Sequence, residues 1–199
     1  MRICAPCFAR IRDDQGRYCL LVNGGRLKHK NERVLSPVGG GLEFTPQGQA
    51  FLASLGSTDF EGANDLRFCI PDHRLQDVIN WFMRRTQRET SVMRELTEEL
   101  TDEAPVLSAS DISGATERFV GFRRFDGLTS RITAAERETA YLIEVFDVLL
   151  PPPSLQKLLA AAARPISERL LYFVTAGEIA KSATREGVAI GPISRTLIS

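Results

Sequence analysis

The residues best suited to chemistry lie between positions 94 and 103. Five of the 25 acidic residues occur there, directly after Arg94: Glu95, Glu98, Glu99, Asp102 and Glu103. On a helix with about 100° per residue, Val92, Leu96 and Leu100 form an apolar face with Met93, and the carboxylates lie on the opposite face. Like charges three or four residues apart destabilise a helix, most of all near its C-terminus. Helix stability therefore does not explain this cluster.

Binding of a divalent metal would explain the carboxylates. Mg²⁺ and Mn²⁺ prefer hard oxygen ligands, and they commonly join a few carboxylates to substrate phosphates. The alternative is a solvated acidic face that Arg88, Arg94 and Arg118 partly neutralise. The spacing alone leaves both interpretations open.

The order of residues within this segment favours the metal. The motif Arg-Glu-Leu-Thr-Glu-Glu-Leu at residues 94–100 resembles the core of the Nudix box, R-E-U-x-E-E-x-G-U, in which U is a bulky aliphatic residue. The sequence departs from the box at Thr101, where the family has glycine, and at Asp102, where it has an aliphatic residue. The glycine-rich start of the box resembles residues 40–43, Gly-Gly-Leu-Glu, and an insertion at about 44–88 separates it from Arg94.

A wider resemblance covers most of the chain. The sequence is most similar to the SMODS-associated Nudix domain, a group found beside cyclic-oligonucleotide synthases in bacterial conflict and antiphage systems. This resemblance implies a possible functional link to such a synthase. The segments that carry it are residues 36–41, 64–71, 81–82, 88–89 and 94–100.

The resemblance implies an activity and a site. Nudix enzymes hydrolyse a diphosphate linked to another group, usually a nucleoside, with Mg²⁺ or Mn²⁺ as cofactor. By position, Glu95, Glu98 and Glu99 would hold the metal and take part in catalysis. Arg94 would orient these carboxylates through charge-assisted contacts. The loop Gly39, Gly40 and Gly41 would pack against the helix and bind substrate.

Other candidate residues lie elsewhere in the sequence. A further metal ligand in this fold often comes from a later strand, and Glu144 is the candidate because it interrupts an apolar run. Glu117 and Glu138 are weaker alternatives. Substrate phosphates need cations, and Arg33 and Arg123 lie at or beside predicted strand ends.

Two other functions remain open. A Nudix-fold module that binds or senses a nucleotide or cyclic oligonucleotide, without catalysis, is compatible with Thr101, Asp102 and the insertion. A scaffold that contacts a partner protein through residues 44–88 would expose an apolar patch near Trp81.

The pattern of elements predicts an α/β protein, a Nudix-like α/β/α sandwich with a mixed sheet. We expect one domain over residues 1–199, with a helical insertion at about 44–88 between the glycine-rich loop and the acidic helix. Residues 26–33 are interpreted as a polar, basic loop. A Thr-x-x-Glu capping box predicts that the acidic helix starts near residue 87, and strands are expected at 117–125 and 139–150.

Composition excludes some classes of protein. Lysine plus arginine and aspartate plus glutamate number 25 each, which argues against broad nucleic-acid binding. The sequence has no apolar run long enough to span a membrane and no signal-peptide pattern, so we expect a cytoplasmic protein. Cys4 and Cys7 are interpreted as buried strand residues, since a zinc site would need two further ligands.

Overall fold

The computed structural model describes residues 1–131 and 134–199, and the side chains of 1–129 and 137–199. Its strands are Arg2–Cys4 (β1), Cys7–Ile11 (β2), Tyr18–Val22 (β3), Val34–Pro37 (β4), Arg67–Cys69 (β5), Thr116–Arg131 (β6), Ala134–Leu149 (β7), Leu171–Val174 (β8) and Ala189–Ile190 (β9). Its α-helices are Gly24–Lys30 (α1), Pro46–Ser54 (α2), Leu75–Met83 (α3), Met93–Thr97 (α4), Ala109–Ile112 (α5), Pro152–Ala162 (α6) and Ala176–Lys181 (α7). Short 3₁₀ helices span Asp72–Arg74 and Pro192–Leu197.

Contacts divide the chain into two compact units. The first unit contains Met1–Cys7, Gly40–Ser91 and Val120–Glu144. In it β1 pairs antiparallel with β5 and parallel with β7, so that Ile3 lies opposite Phe68 on one side and Ala140 on the other. These three side chains are buried. A buried strand between two neighbours forms the core of this unit.

The predicted insertion, residues 44–88, lies within the first unit and contains α2, β5 and α3. Its two ends meet, because the Thr45 amide donates to the Gln87 carbonyl at 3.0 Å. Trp81 is buried, stacks on Phe51 and donates from Nε1 to Gln87 Oε1 at 3.1 Å. Trp81 therefore packs inside this unit and does not contribute to the exposed apolar patch that the scaffold interpretation expected near it.

The second unit contains Phe8–Gly39, Val92–Phe119 and Val145–Ser199. Here β3 pairs antiparallel with β4 and β8, and β4 pairs parallel with β9. The helix α6 packs on β8. At the N-terminus of α7, Thr175 and Glu178 form a capping box, in which each side chain accepts the other residue's backbone N–H.

Two local predictions were wrong. Residues 24–30 are the helix α1, because Asn23 accepts from the Arg26 amide at its start and Asn31 ends it in the left-handed conformation. The acidic helix begins at Met93 and not near 87, because Gln87 has a positive φ of 63° and leaves the helical region. The strands expected at 117–125 and 139–150 are present as β6 and β7. The strand β6 extends further, to Arg131, and β7 begins earlier, at Ala134.

The predicted α/β class is confirmed, since helices accompany sheets with both parallel and antiparallel pairs. That residues 1–199 form one Nudix-like domain, with an insertion at 44–88, stays a prediction. Within the residues that the structure describes, no helix has the length and apolar character that a membrane span requires.

Candidate functional site

The acidic residues lie on a helix with two geometries. Residues Met93–Thr97 are α-helical, and the wider π-helical turn Glu98–Glu103 continues them. Val92, Leu96 and Leu100 are fully buried, as the predicted apolar face requires. The helix therefore continues past Thr101, the position of the missing glycine. Single π turns inside helices are frequent at functional sites.

Arg94 connects two of the predicted ligands. Its Nη1 lies 2.8 Å from Glu95 Oε1 and 3.2 Å from both carboxylate oxygens of Glu98. The side chain of Glu95 is nearly buried, whereas that of Glu98 is half exposed. Arg94 therefore contacts the nearly buried and the half-exposed carboxylate at once; that it orients them as metal ligands stays a prediction.

Glu99 lies in a strongly negative environment. Burial, together with the neighbouring carboxylates of Glu103, Glu95 and Glu98, raises its pKa to about 8. Glu99 therefore interacts electrostatically with the other two predicted ligands and with a fourth carboxylate, Glu103, for which the sequence suggested no role.

Glu117 is attached to the start of the acidic helix. Its Oε2 accepts the backbone N–H of Val92 at 2.9 Å. A carboxylate at this end of a helix satisfies a free N–H and interacts favourably with the helix dipole. Glu117, a weaker candidate ligand in the sequence, therefore anchors the helix through its N-terminus.

The glycine-rich loop is fixed to the first strands of the chain. In the first unit the Cys7 amide donates to the Gly40 carbonyl at 2.9 Å, and Gly41 forms a bridge with Pro6. A Cβ added to Gly41 would lie 2.9 Å from Asp65 Oδ1, so the Asp65 carboxylate would have to shift to admit it. In the second unit Gly39 has a φ of 131°, which other residues rarely adopt. The backbone conformation therefore favours glycine at position 39.

Glu144, the predicted strand ligand, has two arginine partners in the first unit. Its Oε1 lies 2.6 Å from Arg88 Nη2 and 2.9 Å from Arg85 Nε. The side chains of Glu144 and Arg88 are 1% and 0% exposed. These partners favour a structural ion pair over the metal ligation that we predicted for Glu144. The pairing of Arg88 with Glu144 was not predicted, because no local pattern indicates so distant a partner.

The two predicted phosphate-binding arginines have backbone partners. Arg33 Nη1 donates to the Arg169 carbonyl at 2.6 Å, and no hydrogen bond within the described residues connects Arg33 to the acidic helix. Arg123 Nη1 donates to the Phe122 carbonyl at 3.0 Å. Arg33 therefore holds the segment before β8. Binding of a substrate phosphate by Arg123 stays a prediction.

The acidic helix suits a divalent cation by its chemistry. Glu95, Glu98 and Glu99 supply hard carboxylate oxygens, and their mutual repulsion is of the kind that a bound cation relieves. Among the described residues, no three His, Cys, Asp or Glu side chains converge closely enough to form a ready-made metal site. The donor set therefore fits the metal, although its side chains do not converge on one point.

The α/β fold and the acidic helix define a Nudix-type domain. The sequence model of one family, described as the SMODS-associated NUDIX domain, matches residues 1–198. The chain therefore belongs to the SMODS-associated Nudix domain family, as its motifs predicted. The family indicates a hydrolase-like or nucleotide-related module. No curated protein and no solved structure matches the chain.

Proposed function

We propose that the protein is a metal-dependent hydrolase that cleaves a phosphoanhydride in a nucleoside diphosphate-linked or related nucleotide. The observation that supports this most directly is the arrangement of Arg94 with Glu95 and Glu98, because one guanidinium contacts two of the three Nudix carboxylates. We also propose that it acts in bacterial antiphage defence, together with a cyclic-oligonucleotide synthase. The family's association with SMODS domains supports that role.

In this proposal Glu95, Glu98 and Glu99 hold Mg²⁺ or Mn²⁺. The ion would neutralise substrate phosphates and lower the pKa of the attacking water. Arg94 keeps Glu95 and Glu98 oriented through its ion pairs. Buried Leu96 and Leu100 fix the helix from the opposite side.

The glycine loop and Arg123 would bind the substrate. Small residues at Gly39, Gly40 and Gly41 let a phosphate approach the backbone closely. Arg123 supplies a positive charge from β6. Arg33 is left out of the proposed site, because its guanidinium is used by the carbonyls of Arg169 and Ser167.

The experiment is a hydrolysis panel with Mg²⁺ and with Mn²⁺. Substrates are ADP-ribose, NAD, nucleotide sugars, dinucleoside polyphosphates and nucleoside triphosphates. We expect turnover of at least one substrate, abolished by chelation and reduced at least about 100-fold in Glu98→Gln and Glu99→Gln. The control is Glu168→Gln, which removes an exposed carboxylate outside the helix and should leave turnover unchanged.

A second candidate function is a catalytically degenerate module that binds a nucleotide or cyclic oligonucleotide. It is favoured by the lack, among described residues, of three converging ligands, and by Thr101 and Asp102 in the box. Nucleotide binding without turnover of any substrate under either metal would support it and contradict the hydrolase.

A further inference from the structure

A cavity of about 360 Å³ lies in the second unit and shares no residue with the acidic helix. One part of its wall is apolar and comes from α6 and β8. Charged residues form the rest: Arg17 before β3, where it pairs with Asp13 at 2.7 Å, Arg169 before β8, Glu178 in α7, and Arg185 and Glu186 after α7. Its apolar side is lined by Leu159, Ala162, Ala163 and Phe173.

The charged groups in this wall leave one cation without a partner. Glu178 accepts from the Thr175 amide at 2.8 Å and from the Arg185 amide at 2.7 Å, so both of its oxygens are occupied. Glu186 pairs with Arg169 at 2.6 Å. In the part of the chain that the structure describes, the guanidinium of Arg185 has neither a hydrogen bond nor an ion pair, and Arg185 is exposed. The wall therefore offers one free guanidinium to an anion.

A buried hydroxyl in the same wall also lacks a partner. Tyr172 is 4% exposed, and its Oη has no hydrogen bond to any described residue. The Arg169 guanidinium lies 4.8 Å from the centre of the Tyr172 ring and holds the ring in place. Leaving a buried hydroxyl unpaired is unfavourable, so a ligand that supplies a polar atom to it binds more tightly.

We propose that this cavity binds a monophosphorylated compound with one flat ring system, of the nucleoside monophosphate class. The volume exceeds what inorganic phosphate fills and lies at the lower end of small-ligand pockets. The apolar wall with Phe173 receives the ring. Arg185 binds the phosphate through its forked donors, and Tyr172 Oη pairs with a polar atom of the ligand. This site is independent of the proposed hydrolase activity.

Calorimetry on the whole protein in EDTA tests the proposal, with AMP, GMP, CMP and UMP as probes. Ribose 5-phosphate, adenosine and inorganic phosphate are the fragments. We expect at least one nucleotide to bind at least about tenfold more tightly than each fragment, and Glu98→Gln to bind it equally well. Absence of nucleotide binding, or equal affinity for ribose 5-phosphate, overturns the proposal.

Two variants and a control locate the ligand. Arg185→Ala should weaken nucleotide binding about tenfold or more, whereas Lys181→Ala, which removes an exposed cation of α7 outside the cavity wall, should not. Tyr172→Phe should weaken binding several-fold without lowering folding stability, because the lost hydroxyl has no partner in the free protein. Slower amide exchange at residues 184–188 with ligand is expected. Unchanged affinity in both variants places the ligand elsewhere and contradicts the proposal.

Discussion

Arg88 and Glu144 form a buried ion pair, with Nη2 2.6 Å from Oε1 and both side chains almost fully excluded from solvent. Arg88 also donates to the Phe82 carbonyl at 2.6 Å, and its guanidinium lies 3.8 Å from the centre of the Phe82 ring. The pair thus connects the last residues of the segment 44–88 to β7. Breaking such a pair leaves one buried charge without full compensation.

We therefore expect Arg88→Met to lower the free energy of unfolding by about 3 kcal/mol. The double variant Arg88→Met with Glu144→Gln should lose less than Arg88→Met alone, because it no longer buries a carboxylate that Arg85 alone must compensate. Arg26→Met, at the exposed Arg26–Glu32 pair, is the control and should change stability by less than about 1 kcal/mol. Urea unfolding measures all three. Equal losses in Arg88→Met and Arg26→Met would contradict the burial argument.

The packing of α2 leaves little room for a side chain at Gly48. A Cβ on Gly48 would lie 2.2 Å from the Gln87 carbonyl oxygen and 3.2 Å from the Trp81 ring. Gly48→Ala should therefore destabilise the protein by about 2 kcal/mol, since backbone must move to admit the methyl group. Gly177→Ala in α7 is the matched control, because its Cβ meets nothing closer than 3.9 Å. That variant should gain up to about 0.5 kcal/mol from helix propensity. Thermal unfolding should show shifts of opposite sign; a loss in both would count against the steric explanation.

The carboxylate of Asp147 should determine part of the acid sensitivity. A hydrogen bond from Arg10 is the main reason that its pKa is held at about 2, and Arg118 adds a second hydrogen bond. The folded-state pKa lies below the unfolded value of about 3.9, so this group stabilises the protein above pH 4. Its contribution is lost as the pH falls from about 5 to about 2.

Asp147→Asn should accordingly lower stability at pH 7 by about 1 kcal/mol, after allowance for solvent screening. The difference from the unmodified protein should shrink towards pH 2. Asp14→Asn, at an exposed aspartate of the neighbouring turn, is the control and should have little effect at either pH. Denaturant unfolding at several pH values measures the difference. A gap that stays constant down to pH 2 would show that Asp147 does not titrate as expected.

A sequence indicates best the elements that depend on neighbouring residues. At the start of α7, for example, Thr175 and Glu178 cap the helix within one turn. A similar pattern at Thr86 and Glu89 failed, since Arg88 between them turns inward to the distant Glu144. The periodicity of the acidic helix predicted which of its faces is buried. It did not predict the π turn, because a π turn depends on contacts made after the chain has folded.

An Arg94→Lys variant distinguishes an orienting role of Arg94 from simple charge compensation. Its Nη1 contacts Glu95 and both oxygens of Glu98, so one guanidinium sets the positions of two proposed ligands. Residues that orient metal ligands typically affect metal affinity 10- to 100-fold. We expect Arg94→Lys to weaken Mn²⁺ binding about tenfold, because an ammonium keeps the charge but not the planar donor geometry. Arg118→Lys, an exposed arginine outside the acidic helix, is the control. Electron paramagnetic resonance of free Mn²⁺ measures the affinity. If Arg94→Lys bound Mn²⁺ as tightly as the unmodified protein, its positive charge alone would account for its effect on Glu95 and Glu98.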